Sequence, residues 1–228
     1  MVGKKLSVLL SALLCALTVV GCGKEAAVSY ESFLSPAAAP LTEEQLADCT
    51  EWFARIENNG LLRIPYTDAA GAPEQLVPYL EILLYDVGET DLTGEELALI
   101  ENAGAYMDLV GKYRLSRTLI AGYLEEKLGI RPEDSARILE APDPSPAGIY
   151  LDEYDAWYIV HGDTWFEEYS FIHGEKHADG SVRLFYTNPF LTVAKADGSA
   201  EFLRDQLMAV TLVCKNGAWY VASNEILQ

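Results

Sequence analysis

Two spacings of apolar residues divide this chain near residue 145. Before that point they recur at helical intervals, and after it short alternating runs are separated by turn dipeptides. Thr42-Glu-Glu-Gln45 is a capping-box pattern, with the threonine hydroxyl placed for the third helical amide and the glutamine reaching back. The helix it opens sets Leu46, Cys49, Phe53 and Ile56 on one face, and Asn58-Asn59-Gly60 marks its expected end. Residues 78–85 carry Tyr79, Ile82 and Leu83 and predict a short helix stopped before Gly88. Thr93-Gly-Glu-Glu96 is a second capping box, opening a helix through Leu97 and Ile100 towards Tyr106. Ser116 is placed to cap a helix over 117–128, with Gly129 just past its end. Pro132 suits the first position of another short helix, reaching about Leu139. Ala-Pro-Asp-Pro-Ser-Pro at 141–146 then breaks the chain. The expected organisation is a helical lobe over 41–144 and a second lobe over 145–228.

In the second lobe Tyr150, Tyr154, Trp157 and Tyr158 fall at i, i+4, i+7 and i+8, which predicts one more helix. From there the pattern is β, with runs at 166–172, 182–187, 207–215 and 218–223. Asp179-Gly180 and Asn216-Gly217 are turn dipeptides that accept positive φ. The fold class expected is α+β, a helical N-terminal lobe followed by one helix packed on an antiparallel sheet of about four strands. A helix lying on a curved sheet resembles the cystatin-like and nuclear-transport-factor-like folds, a likeness that carries no function by itself.

The first residues belong to none of this. Lys4 and Lys5 precede an uncharged apolar run over 6–20, too short to span a ~30 Å hydrocarbon core as a helix. Such a run is the central region of an export signal. It ends in Val19-Val20-Gly21-Cys22, which resembles the lipobox of bacterial lipoproteins, with Val19 where leucine is commoner. The resemblance implies that residues 1–21 are a signal peptide, and that Cys22 takes a thioether-linked diacylglycerol and becomes the first mature residue. Two acyl chains anchor stably where one would be marginal. Residues 22–40 then read as the lipidated cysteine and a tether. Fully extended at ~3.3 Å per residue, residues 23–40 would lift the domain by up to about 60 Å. Docking of Tyr30 and Phe33 on the domain would shorten that reach.

Charge sharpens the picture. The chain has 35 acidic against 16 basic side chains and a net charge of −19. Loss of Lys4 and Lys5 with the signal would take this to −21. Nucleic acid is thereby excluded as a natural partner, since phosphate binding needs a basic face. Anionic lipid would repel the domain as well, so the expected membrane attachment is the lipid on Cys22 and not electrostatics. With Cys15 in the signal and Cys22 lipidated, Cys49 and Cys214 remain. They read as two small apolar side chains or as a disulfide closing a long loop.

Candidate chemistry concentrates at 150–171, where eight aromatic residues are interleaved with Asp152, Glu153, Asp155, His161, Asp163, Glu167 and Glu168. Aromatic faces beside carboxylates suit a sugar-binding cleft, which makes Trp157, Trp165, Asp155, His161 and Asp163 the candidate ligand-binding residues. A stripe at helical spacing is ordinarily packing, however, with its acids in water. Asp155, His161 and Asp163 carry metal-ligand chemistry on a spacing that fits no ligand template, so no metal or other cofactor is expected. His161 and Asp163 read better as turn formers around Gly162. His173 and His177 are expected in an exposed hairpin loop. Lys112, Arg114 and Arg117 form a basic cluster that either holds an anion or neutralises nearby acids. No nucleophile motif or phosphate loop is present, and no catalytic residue is expected.

The stretch 150–158 with His161-Gly-Asp-Thr164, together with Ser223-Asn224 near the last strand, resembles segments of uncharacterised lipoproteins of anaerobic Gram-positive bacteria. That resemblance covers roughly 75–228 and implies a surface lipoprotein without supplying an activity. The function expected is therefore a membrane-anchored binding or interaction module, not an enzyme, with a surface protein or glycan as its partner. The alternatives are a carbohydrate-active hydrolase using carboxylates near Asp155 and Asp163, or a solute-capture lipoprotein serving a transporter.

Overall fold

The capping box at Thr42 forms as its sequence requires, the Thr42 amide donating to Gln45 Oε1 at 3.0 Å and the Gln45 amide to Thr42 Oγ1 at 3.2 Å. It opens α1, Glu43–Ala54. The computed structural model describes residues 29–76, 80, 83, 87–102, 111–131, 149–161, 169–196 and 198–228. Within them follow α2 (Ile56–Asn59), α3 (Ala72–Leu76), α4 (Gly94–Asn102) and α5 (Arg117–Leu128). The strands are β1 (Ala39–Pro40), β2 (Gly111–Ser116), β3 (Ile149–Leu151), β4 (Ala156–His161), β5 (Phe171–Lys176), β6 (Val182–Asn188), β7 (Leu191–Ala194), β8 (Ala200–Leu203), β9 (Gln206–Lys215) and β10 (Ala218–Ile226). The expected helix at 78–85, apart from Leu80 and Leu83, lies outside the described residues, as do the helix after Pro132 and the break at 141–146.

The architecture is mixed α/β with antiparallel sheets. The largest has five strands in the order β1-β5-β6-β9-β10, where about four were expected, and the others are β2-β4-β3 and β7-β8. Asn216 and Gly217 both take positive φ, at 54° and 83°, and close the β9–β10 hairpin as their sequence predicts. The cap of α5 is likewise as expected, with Ser116 Oγ accepting from the Leu119 amide and Gly129 at φ 66°. Gly129 has a second reason to lack a side chain, since a Cβ there would sit 3.2 Å from the Tyr220 ring.

Three expectations are corrected. The stripe from Tyr150 to Tyr158 is the β3–β4 hairpin and not a helix, so the helices packed on the five-stranded sheet are α1, against β5, and α5, against β10. Asp155 turns the hairpin at φ +49°, and β4 then pairs with β2, a strand the periodicity did not show. Both faces of β4 are buried: Trp157 and Ile159 join the main core, while Ala156 and Tyr158 pack with Ile100 in a second cluster. With apolar residues on both sides, the period of two is erased from the sequence. Secondly, α1 ends at Ala54 and not at Asn58, because Asn58 Nδ2 takes the Trp52 carbonyl at 2.8 Å and Arg55 is extended. Thirdly, His173 lies within β5, and the turn begins only at His177.

One core cluster draws Phe53, Leu62, Ile64, Leu115 and Leu124 from the first expected lobe and Trp157, Tyr186, Met208 and Val221 from the second. The join is made by Asn224. A bulge between Val221 and Ser223 shifts the alternation of β10, so that Asn224, opposite Val210, turns to the inner face. There it is fully buried, and Nδ2 donates to the Ile64, Leu62 and Leu61 carbonyls at 2.8, 3.2 and 3.4 Å. Its Oδ1 accepts from the Tyr186 hydroxyl at 2.7 Å, while its backbone exchanges two hydrogen bonds with Tyr66. Asn188, also buried, adds a 2.6 Å bond to the Leu62 carbonyl. The segment 60–66, a 3-10 turn at Gly60–Arg63 and the residues after it, thus finds on the sheet the partners that a buried backbone requires.

On the outer face of the sheet, Tyr30 stacks on His173 with ring centroids 5.1 Å apart and lies 5.9 Å from Phe185. The Ser35 amide donates to buried Glu175 at 2.9 Å, and β1 pairs with β5. Residues 29–40 are therefore laid along the domain. Replacing Asn224 with leucine strands the Leu61 and Ile64 carbonyls and takes the short bond from the Tyr186 hydroxyl, while Leu62 keeps Asn188, at an expected cost of about 3 kcal/mol. For a domain of this size that lowers the melting temperature by roughly 6–12 °C, read by calorimetry, while Tyr186→Phe should lower it by less than half as much.

Candidate functional site

The structure disperses the residues that the sequence put forward. Trp157 is 1% exposed and belongs to the core, so it is not a ligand platform, and its Nε1–H finds no acceptor among the described residues. Asp155 is exposed but committed: it lies 2.6 Å from Arg117 Nε and accepts from the Tyr150 hydroxyl. His161 ends β4 opposite Gly111, and the expected turn at Gly162, with Asp163 and Trp165, lies outside the described residues. Asp155 and Trp157 flank Ala156 at the start of β4 without sharing a cleft. Among the described residues no group of three or more His, Cys, Asp or Glu is placed to hold a metal.

The basic cluster neutralises acids. Arg117 takes Asp155, and Arg114 takes Glu89 at 2.8 Å and Glu96 at 2.7 Å. Glu96 is fully buried and caps its own helix as the pattern at Thr93 requires, with the Thr93 amide donating to it at 2.7 Å. The Tyr158 hydroxyl donates to the same carboxylate at 2.6 Å. Burial alone would raise the Glu96 pKa. The hydrogen bonds from Tyr158, Thr93 and Arg114 outweigh it and hold the carboxyl at about 2. A carboxylate so fixed is a structural ion and no proton donor at neutral pH.

The concave site lies elsewhere, between α1 and the inner face of the five-stranded sheet. A cavity of about 350 Å³ opens there, within the range of small-ligand sites. One wall is a face of α1, with Gln45, Asp48, Cys49 and Trp52 at i, i+3, i+4 and i+7 after Leu41. The other is a cross-strand row, Lys176 opposite Val182 and Val182 opposite Leu212, continued by Trp219. Gly174 shapes this wall: a Cβ there would fall 2.6 Å from Leu41 Cδ1, and its carbonyl accepts from the Leu41 amide at 2.8 Å. Trp219 is 44% exposed at the mouth.

Both remaining cysteines are free, Cys49 half-buried in the cleft and Cys214 exposed. The expectation of two buried side chains therefore fails for Cys214, which lies opposite Trp219 in the last hairpin. Burial first, and the Asp48 charge second, push the Cys49 thiol up, which keeps it protonated and weakly nucleophilic. Sequence reasoning passed over the cleft because its residues come from five separate segments. The one legible signal was the second face of α1, where Trp52 shares a stripe with Gln45 and Asp48.

In comparison with known proteins, the chain matches no family model, no curated protein and no solved structure. Its chemistry is therefore read from the geometry alone. The site defines a class, a mixed α/β domain with an aromatic-walled cleft between helix and sheet.

The Glu96 cluster makes an acid-stability prediction. Its folded pKa lies below the unfolded value, so its contribution is fully present above about pH 4.5 and is lost as the pH falls towards about 2. Arg114→Met leaves a buried carboxylate without its cation and should cost about 3 kcal/mol at pH 7. Urea unfolding across this pH range should show the difference from the native protein shrinking as Glu96 protonates.

Proposed function

We propose that this protein is a lipid-anchored binding module, held on the outer face of a bacterial membrane through Cys22 and presenting the cleft between α1 and the sheet to a small ligand. The observation that carries the reading is the cavity of about 350 Å³ walled by Trp52 and Trp219, with Leu41, Cys49, Val182 and Leu212 behind them and Gln45, Asp48 and Lys176 as polar groups. Apolar walls with a few polar groups are the usual composition of a small-ligand site. The protonated Cys49 thiol and the ion-paired Asp155 and Glu96 support binding without catalysis.

The anchor itself rests on the lipobox resemblance. Among the described residues no helix is long and apolar enough to cross a membrane. Because Tyr30 docks on His173 and Phe185, the reach from anchor to domain is set by the short stretch from Cys22 to Ser29. Its seven residue steps span at most about 25 Å, so the domain stands close to the bilayer. Cys22→Ala should move the protein from the membrane fraction to the medium and abolish its labelling by radioactive palmitate. Retention at the membrane would sink the lipid anchor.

The cleft is tested by a thermal-shift screen of the purified full chain against cell-wall glycans, short peptides and fatty acids. A ligand at a hundred times its Kd stabilises by about 2.7 kcal/mol, roughly 5–10 °C here. A ligand of the cleft should also slow alkylation of Cys49 while leaving Cys214 untouched, and its shift should vanish in Trp219→Ala. A shift that survives this substitution and leaves Cys49 as reactive as before would place binding elsewhere.

A further inference from the structure

The cleft carries one charge of each sign on opposite walls, Asp48 on α1 and Lys176 on β5. They do not pair with each other, and among the described residues neither takes part in an ion pair or a side-chain hydrogen bond. Arg114, Arg117, Lys127, Arg183 and Lys195 each sit against a carboxylate, while Lys176 extends beside Val182 at the end of the cleft row. Between the two charges lie the apolar side chains of Leu41, Cys49, Trp52, Val182, Leu212 and Trp219.

We infer that the ligand is a short apolar peptide with free ends, its carboxylate on Lys176, its ammonium at Asp48 and its side chains against Trp52 and Trp219. The inference rests on the cleft being the binding site and adds the class of ligand. Three features select it. A carboxylate and an ammonium on opposite walls, not paired with each other, suit a molecule that bears both charges, as a fatty acid does not. Two or three residues at ~3.3–3.6 Å each set the charged ends apart and leave side chains for the apolar walls between them. A cavity of about 350 Å³ with tryptophans on both walls takes the bulk of one or two apolar side chains, whereas a saccharide would need more hydroxyl partners than Gln45, Asp48 and Lys176 provide. Charge-assisted contacts at both ends fix the direction of the peptide, and the indoles supply most of the buried area.

The test is isothermal titration of the purified full chain with the dipeptide Leu-Phe, its N-acetyl form and its C-terminal amide. Free Leu-Phe should bind, and blocking either end should weaken binding about tenfold. Lys176→Gln should bind the free peptide and the amide alike, and Asp48→Asn should no longer distinguish the acetylated form. Both residues are exposed, so neither variant threatens the fold, and Trp219→Ala should remove binding altogether. Equal binding of free and blocked peptides overturns the inference while leaving the cleft as the site. So does a fatty acid or glycan that protects Cys49 from alkylation where no peptide does. If nothing in the panel binds in a manner sensitive to Trp219→Ala, the inference and the cleft reading fall together.

Discussion

A buried asparagine on the last strand holds the two halves of this chain together. The segment 60–66 crosses the core as one short 3-10 turn at Gly60–Arg63 followed by extended chain, and the carbonyls such a segment leaves over need hydrogen-bond partners from outside itself. Asn224 supplies them, its amide nitrogen to three carbonyls and its oxygen to Tyr186, with Asn188 bonding the Leu62 carbonyl again. An apolar side chain of the same size would fill the space but leave the carbonyls unpaired, which is the costlier error. Leu61, Leu62 and Ile64 owe their places in the core to this arrangement, because their backbone cannot be buried until its oxygens are satisfied.

The cleft is a consequence of how α1 is fixed. Its start is held where Leu41 fills the space left by Gly174, and its end where Phe53 enters the core and Asn58 takes the Trp52 carbonyl. Between these points α1 lies over a row of strand residues, Lys176, Val182 and Leu212, and the space between them is the cleft. Trp219, from the hairpin at the far side, lines it with half of its surface in water. The same sheet carries Tyr30 and Ser35 on its other face, so the segment that leads into α1 and the cleft use opposite sides of one layer.

The scarce cations of this acidic chain are mostly spent inside the fold. Arg114 joins the strand β2 to Glu89 and to the first turn of α4, and Arg117 ties the start of α5 to the turn between β3 and β4. Arg114 and Glu96 with Glu89, Thr93 and Tyr158 come from three segments, and they bind because burial makes the Glu96 charge costly unpaired. Lys176, by contrast, faces the cleft without a carboxylate of its own among the described residues.

What the sequence alone determined was set by local chemistry. Both capping boxes, the Ser116 and Gly129 ends of α5, the Asn216-Gly217 hairpin and three of the long strands were legible because each depends on residues within a few positions of one another. The charge of −19 and the apolar run before Cys22 likewise need no fold to be read. Tertiary structure decided the rest. Tyr150 to Tyr158 has helical spacing, yet it forms a hairpin because β2 offers a partner strand and both faces of β4 are covered. The bulge that turns Asn224 inward leaves no mark in the residue pattern, and the meeting of Trp52, Lys176 and Trp219 around one cavity joins residues more than a hundred positions apart. Local preference fixes the ends of an element, while burial against distant neighbours chooses which face it shows and what lies across from it.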